Sequence, residues 1–336
     1  MICPLPSPIR TLVTAAAIVG SVATPARAQT APFGPLTSEE GSPLQRVGYT
    51  PMTEHADLAA PGAFTADMWL GYSNIFEQDS SATHLLFMDM ERLITTATVR
   101  YGVSERLEVG GRLTLETTGG GILDPFISWW HTHLHLGNGN RERFPTDEHS
   151  QLLVDGAGQV RLDAPNRTFA LEDVRLFAKW RLYASEDGSR FLSLRGVTRI
   201  PTQDNGVSEE RADVALILLG RTRWGRVHMH GMAGGSTLRA SEEMDSMLRS
   251  QTAFLTLAAE YPIADWVSGV LQYSIASPTT QGFRDKEIDS PPMNFVFGLA
   301  GRLGANWRWD ASFQEDIPPD TPAVDFTLGI RLSRSW

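Results

Sequence analysis

The sequence predicts a closed, antiparallel transmembrane β-barrel of about twelve strands, all-β apart from one long loop. Three observations carry that prediction. The last stretch of the chain alternates apolar and polar residues one by one. Short and long connections alternate along the chain. Trp and Tyr gather beside the short connections.

The first residues read as an export signal. Arg10 precedes an apolar run from Leu12 to Val22, and Ala26-Arg27-Ala28 follows with the small-x-small pattern that signal peptidase cuts. The run is about half of the roughly 20 residues that a spanning helix needs. Residues 1–28 are therefore expected to leave after Ala28, and Cys3, the only cysteine, leaves with them. The exported chain then has no disulfide, Cys nucleophile or thiolate ligand. Residues 29–62 are rich in Pro and Gly and lack alternation. They read as a plug or as a periplasmic tail, with the barrel proper over 63–336.

From Val324 to Trp336 one face carries Val324, Phe326, Leu328, Ile330, Leu332 and Trp336, broken only by Arg334; the other carries Asp325, Thr327, Gly329, Arg331, Ser333 and Ser335. This is a strand with one lipid-like and one watery face. Its terminal aromatic resembles the signal read by the outer-membrane barrel-assembly machinery. The same period appears at 64–72, at 83–101 with a change of phase near Glu91-Arg92 that reads as a bulge, and at 107–116. Further strands are expected near 171–183, 190–200, 211–221, 226–237, 251–261, 266–276, 292–302 and 306–314. Mean hydropathy is slightly polar, which a one-sided strand pattern explains.

Short connections are expected at 102–105, 185–189, 223–225, 262–265 and 303–305, and longer ones at 75–82, 117–170, 201–210, 238–249, 277–291 and 315–322. Short periplasmic turns opposite long external loops fit a barrel with both ends in the periplasm. Tyr101, Trp180, Tyr183, Trp224, Tyr261, Trp266, Trp307, Trp309 and Trp336 lie at the short-turn side. There they would form the aromatic girdle of the headgroup zone, where a ring with a polar edge is most stable.

The strand phases turn a set of charges inward: Arg100, Glu108, Arg112, Glu116, Asp173, Arg175, Lys179, Arg181, Arg195 and Arg199, then Asp213, Arg221, His228, His230, Glu260, Arg302, Arg308, Asp310, Asp325 and Arg331. A midplane Arg facing lipid costs roughly 2–4 kcal/mol, so these residues line the lumen. They either pair and fill it, or border a wet path whose Arg excess favours anionic or polar solutes. The whole chain holds 39 acidic against 29 basic residues, which argues against a nucleic-acid partner.

Loop 117–170 is far longer than the rest, and loops of that length are commonly functional. It opens on Gly119-Gly120-Gly121 and continues through Asp124, Trp129, Trp130, His131 and His133 to Arg141. An apolar face there predicts a short helix, either folded into the lumen as a plug or packed on the outer leaflet. A small hairpin, 151–154 with 159–163, closes it. His131, His133 and His135 stand at i, i+2 and i+4, a spacing able to ligate a metal on a strand, but no Cys or carboxylate completes the set and no metal or cofactor is assigned. Ser128 near His131 and Ser236 near His230 lack an activating motif, so no catalytic residue is assigned either. The Gly run is no phosphate loop, since Lys and Ser/Thr do not follow it.

The run Gly119-Gly120-Gly121-Ile122-Leu123-Asp124 leading to Phe126, Trp130 and His131 or His133 resembles a family of bacterial outer-membrane proteins known as domain of unknown function 3187. The resemblance continues through Gly137, Arg141, Asp89, Glu91 and Tyr101-Gly102. It implies an outer-membrane barrel and assigns no activity. The expected function is porin-like passive transport of a small solute. The alternatives are a barrel enzyme acting on envelope lipids and a closed structural or adhesion barrel.

Overall fold

The computed structural model describes residues 32–80, 84–134, 141–147, 149–155, 160–163, 166–202, 212–238, 247–281, 288–316 and 322–336. The export signal and His135 lie outside them, as do Gly137 and the hairpin turn after Asp155.

The described strands are β1 (Phe64–Ser80), β2 (His84–Ser104), β3 (Leu107–Gly119), β4 (Ser150–Asp155), β5 (Val160–Asp163), β6 (Arg167–Ala184) and β7 (Phe191–Pro201), then β8 (Asp213–Trp224), β9 (Val227–Thr237), β10 (Gln251–Ala264), β11 (Val267–Ala276), β12 (Met293–Leu303), β13 (Trp307–Asp316) and β14 (Phe326–Ser335). Neighbours along the wall pair antiparallel, and β1 pairs with both β2 and β14, which closes a barrel of twelve strands. The hairpin β4–β5 stands outside that ring and pairs with the start of β2, Leu85 opposite Val154. Helix α1 spans Asp124–Leu134. Among the described residues no helix is long and apolar enough to cross a membrane, a statement silent on strands.

The reason these segments are strands is visible in β8. Asp213, Ala215, Ile217 and Leu219 are buried toward the lumen, while Val214, Leu216 and Leu218 are exposed on the outside. Alternation of burial with a lipid-type outer face is what a barrel wall requires. Leu255 and Leu257 of β10 and Leu328, Ile330 and Leu332 of β14 continue the exposed apolar band. At the short-turn end Tyr101, Trp180, Tyr183, Trp224, Tyr261, Trp266, Trp307 and Trp336 are all exposed, and Trp309 is partly so.

Two expectations at the start of the barrel need correction. The connection expected at 75–82 is mostly strand, because β1 and β2 form one long hairpin running from Phe64 opposite Tyr101 to Ser80 opposite Leu85. The bulge expected at Glu91-Arg92 does not exist; the register is unbroken there on both sides. What changes is the surroundings. Below that point the inward positions Thr96, Thr98 and Arg100 are polar and the outward Val99 and Tyr101 exposed, whereas above it Leu86, Met88 and Met90 point inward into an apolar cluster. On the other face Glu91 is covered by chain outside the barrel. A reversal of environment imitates a shift of phase.

A true irregularity lies in β6. Thr114 pairs with Asp173 but Leu115 pairs with Leu171, so Glu172 is an extra residue. The bulge turns Glu172 and Asp173, sequence neighbours, into the barrel together.

Candidate functional site

The lumen holds chain. Residues 32–62 enter beside Glu260, near the short-turn end, where the Phe33 and Gly34 amides donate to its carboxylate at 2.9 and 3.0 Å. The segment climbs past Asp310, which accepts from the Thr37 amide and hydroxyl at 3.2 and 3.1 Å. It turns at the long-loop end, where Leu44 and Val47 pack with Ile75, Leu86, Met88, Met90, Leu238, Leu248, Ile288 and Val324. It then descends past Tyr49 and Thr53, and the Thr53 amide donates back to the Ser38 carbonyl at 2.9 Å, tying the two limbs together. At the bottom the Ala59 amide donates to Glu108 and the Gly62 amide to the Gly102 carbonyl, just before β1 begins. Along this course residues 32–62 lie inside the barrel.

The wall charges meet this segment. Arg46 donates to Glu172 at 2.8 and 2.7 Å and pairs with Glu39 at 3.2 Å. Glu39 also pairs with Arg175 at 2.8 Å, and Arg175 with Asp173 at 2.9 Å. Arg199 joins Asp173 to Asp213, 3.0 Å to each. Arg92 bridges Glu116 and Glu172 and donates to the Gly41 carbonyl. Lower down, Glu54 receives Arg195 and lies 3.9 Å from Arg100, which itself pairs with Asp67. Arg195 also lies over the Phe177 ring at 3.8 Å. Lys179 pairs with Glu108 at 3.0 Å and donates to the Asp57 carbonyl, and Arg221 pairs with the Asp57 carboxylate at 2.8 Å. His230 contacts Glu260 at 3.0 Å and Arg331 pairs with Asp310 at 2.7 Å. Buried ions of this kind persist because each has a partner.

Of the expected lumen set, Glu108, Arg112, Glu116, Arg175, Arg195, Arg199, Glu260, Asp310 and Arg331 are buried on the inner face and Arg100 partly so. Arg302 and Arg308 face each other across β12–β13 at the short-turn end and are exposed. Asp325 is a correction. It precedes β14 in a bend, outside the alternation, and faces Arg141 and the Phe76 amide on the outer side. Pattern reading missed the carboxylates of the segment, Glu39, Glu54 and Asp57, together with bulged Glu172. The Glu172-Asp173 doublet inside a period-2 strand was the one available signal.

Beside the segment, toward the long-loop end, lies a recess open on one side. Glu39, Glu40, Gln45 and Tyr49 form one side, and Thr252, Phe254, Thr256, Ser274, Asn294 and Gln314 line the other.

The long loop forms a second cluster, and its lumen alternative is corrected: Asp124, Trp129, Trp130, His131, His133 and Arg141 stand against the outside of the wall. Phe126 packs on Phe326 at 5.5 Å and Trp130 on Phe313 at 5.0 Å, both on the outer face. Glu91 of β2 accepts from the Ile122 and Leu123 amides and from the Tyr72 hydroxyl. A carboxylate from the wall thus satisfies the two amides just ahead of α1 and stands at the positive end of its dipole. Gly121 allows this approach: its φ is +74°, and a Cβ would fall on the Glu91 carboxyl. Asp124 accepts from Asn74 at 2.9 Å and from Arg141 at 2.6 Å, and Arg141 also reaches Asp325. His131 is buried 3.4 Å from Glu315, whereas His133 is exposed and lies tilted against Trp129, so a helix sends the two to different surroundings. Among the described residues no three His, Cys, Asp or Glu are grouped to hold a metal. Ser236 bonds Thr252 at 2.6 Å and His230 bonds Glu260, so neither is directed at the other.

Residues 11–336 match one protein family, described as protein of unknown function (DUF3187). The chain belongs to that family. No curated protein matches the chain. Among solved structures, the COG4313 outer membrane channel from Pseudomonas putida F1 is similar with a TM-score of 0.52 and 13% identity, over 84% of this chain and 99% of that one. At this identity the likeness is one of fold, the closed outer-membrane-type barrel. The translocator domain of the autotransporter NalP from Neisseria meningitidis (TM-score 0.40, 11% identity, 83% and 90% covered) and the toluene transporter TodX from P. putida (0.38, 10%, 82% and 90%) are more distant, and no argument rests on them.

Proposed function

We propose that the protein is a channel of the bacterial outer membrane for passive movement of a small solute, held closed by its own segment 32–62. The observation that carries this reading is how the segment is held. Through most of its depth it meets the wall by ion pairs and hydrogen bonds, which water can replace if the segment moves. Apolar contacts accompany these polar ones, at Leu44 and Val47 in the tip, at Phe33 and Leu36, at Tyr49 and Ala56, and at Met52, but a purely structural filling has no need of the buried charges. The recess beside Tyr49 is the natural first resting place for a solute. Its hydroxyl and amide groups, with the carboxylates of Glu39 and Glu40 beside them, suit a polar molecule that is not an anion. The wall arginines expected to attract anions are occupied by Glu39, Glu54 and Asp57, so anion preference belongs to the open state.

Single-channel recording in a planar bilayer tests this. The intact chain is expected to show rare, brief openings, and an Arg46→Gln/Arg175→Gln variant longer and more frequent ones. A variant lacking residues 32–58, checked for a folded barrel by heat-modifiable gel migration, is expected to give large steady steps. Silence in all three, with the barrel folded, refutes the channel and favours a structural role.

A further inference from the structure

Helix α1 is amphipathic in the opposite sense to a helix on a water-soluble protein. Its face toward the wall carries Asp124, Ile127 and His131, all buried. Its outward stripe is Phe126, Trp129 and His133, continued by Ile122 just ahead of the helix, with Ile122 75%, Phe126 38% and Trp129 52% exposed. In water a helix turns its apolar stripe to the core. The wall beneath is reversed too: Asn74, Glu91 and Glu315 are outward positions of their strands and are buried under the loop.

The height of the helix is fixed by β14. Phe326, which Phe126 touches, precedes the girdle residue Trp336 by the length of the strand. At about 3.4 Å per residue and a usual barrel tilt, this places Phe326 roughly 25 Å above the girdle, the height of a barrel's apolar band. Leu328, Ile330 and Leu332 fill the band between. The exposed stripe of α1 therefore continues the lipid-facing surface at its upper edge.

We infer that α1 is seated in the outer leaflet, with Ile122, Phe126 and Trp129 against lipid acyl chains. In this sector the bilayer meets the helix, and the polar wall beneath never meets lipid. Amphipathic helices lying at an interface bury their apolar side in this way. The inference rests on the outer-membrane reading proposed above.

The test is nitroxide labelling of single cysteines, in a full-length Cys3→Ser background, at Phe126 and Trp129. Leu328 serves as the lipid-facing control and Asp187, in a short turn, as the aqueous control. The proteins are refolded into phosphatidylcholine vesicles, and collision with oxygen is compared with collision with a water-soluble nickel chelate. The expected result is an oxygen-to-chelate ratio at 126 and 129 severalfold above that at 187 and close to that at 328. A ratio at 126 and 129 matching 187, while 328 stays lipid-like, overturns the inference and leaves the barrel in the membrane. A water-like ratio at 328 as well overturns both. The ring contacts of Trp129 are with Phe126 and His133 of the helix itself, so a label at 129 leaves the wall contacts in place, whereas a label at 126 gives up the contact with Phe326 and is read beside it. Quenching of a Trp129-only variant by brominated lipid gives an independent reading, with strong quenching expected and its absence counting against the seat.

Discussion

Glu54 and Arg195 meet inside the barrel, both almost wholly out of water. Removing one member of such a pair strands the other, at a cost of about 3–5 kcal/mol. Glu54→Gln is therefore expected to loosen the segment far more than an exposed substitution such as Glu105→Gln, whose partner Arg181 lies at the rim. Protease cleavage within 32–62 at fixed time measures it, and equal cleavage in the two variants would contradict the pairing. His55 makes a second prediction. Its ring occupies the space a Cβ on Gly34 would take, and Gly34, at φ +100°, leaves that space open between the two limbs. Packing inside the barrel, with Arg331 and Arg308 near, holds the imidazole well below its usual value. His230 and Lys179 push in the same direction. The docked segment then binds fewer protons than the released one. Docking is fully favoured above the ordinary imidazole value of about 6.5 and weakens as pH falls below it, by up to about 1.4 kcal/mol per unit until docked His55 is itself protonated. Channel opening should rise between pH 7.5 and 5.5, and His55→Gln should flatten that rise; an unchanged slope in the variant would assign it elsewhere.

Among the elements, the strands were legible because lipid imposes a rule on every second residue. The boundaries of β8, β9 and β11 fall within a few residues of the alternation. Alternation failed where the partner of a face was neither lipid nor water. Leu86 and Met88 look outward-facing by composition, yet they meet the apolar tip of the segment. Glu91 looks inward-facing, yet it meets the amides of Ile122 and Leu123. Helix α1 was visible as a helix, while its side of the wall depended on Phe313 and Phe326, about 180 and 200 residues away in the chain, which strand spacing could not tell. Glu91→Ala is expected to leave those two amides and the Tyr72 hydroxyl without their acceptor, costing about 1–3 kcal/mol of helix docking. Gly121→Val should do the same from the other side, through its backbone angle and the space held by Glu91. Faster hydrogen exchange over 122–134, with the barrel strands unchanged, is the expected signature in both. An unaltered rate in Glu91→Ala would mean that the aromatic contacts alone hold α1.

For the molecule as a whole, the filled lumen was hardly legible. Residues 32–62 have no period, and their partners are set by the closed barrel: Glu260 for Phe33, Asp310 for Thr37, Glu172 for Arg46. Wall charges read alone suggested a basic path, because the carboxylates that neutralise them sit in a segment without pattern. A barrel lacking 32–58 should still close, since β1 and β14 pair through their own backbones from Thr65 to Asn74. It should melt at a lower temperature, having lost the apolar tip and the buried ion pairs, and an unchanged melting temperature would show that the segment adds nothing to the wall.

The two limbs of the segment also run to the same end of the cylinder, one beside Glu260 and the other into β1 at Gly62 and Gly102. Topologically it is a bight, a loop of rope pushed into a tube with neither end passed through. No terminus has to be threaded to insert it or to withdraw it, so filling and emptying the barrel leave the chain unknotted. Tension applied from the short-turn side would peel the contacts off in sequence, as a zip opens, whereas a pull at the Leu44–Val47 tip would load both limbs at once. The molecule is mechanically one-handed, and its easy direction is the side on which the chain enters.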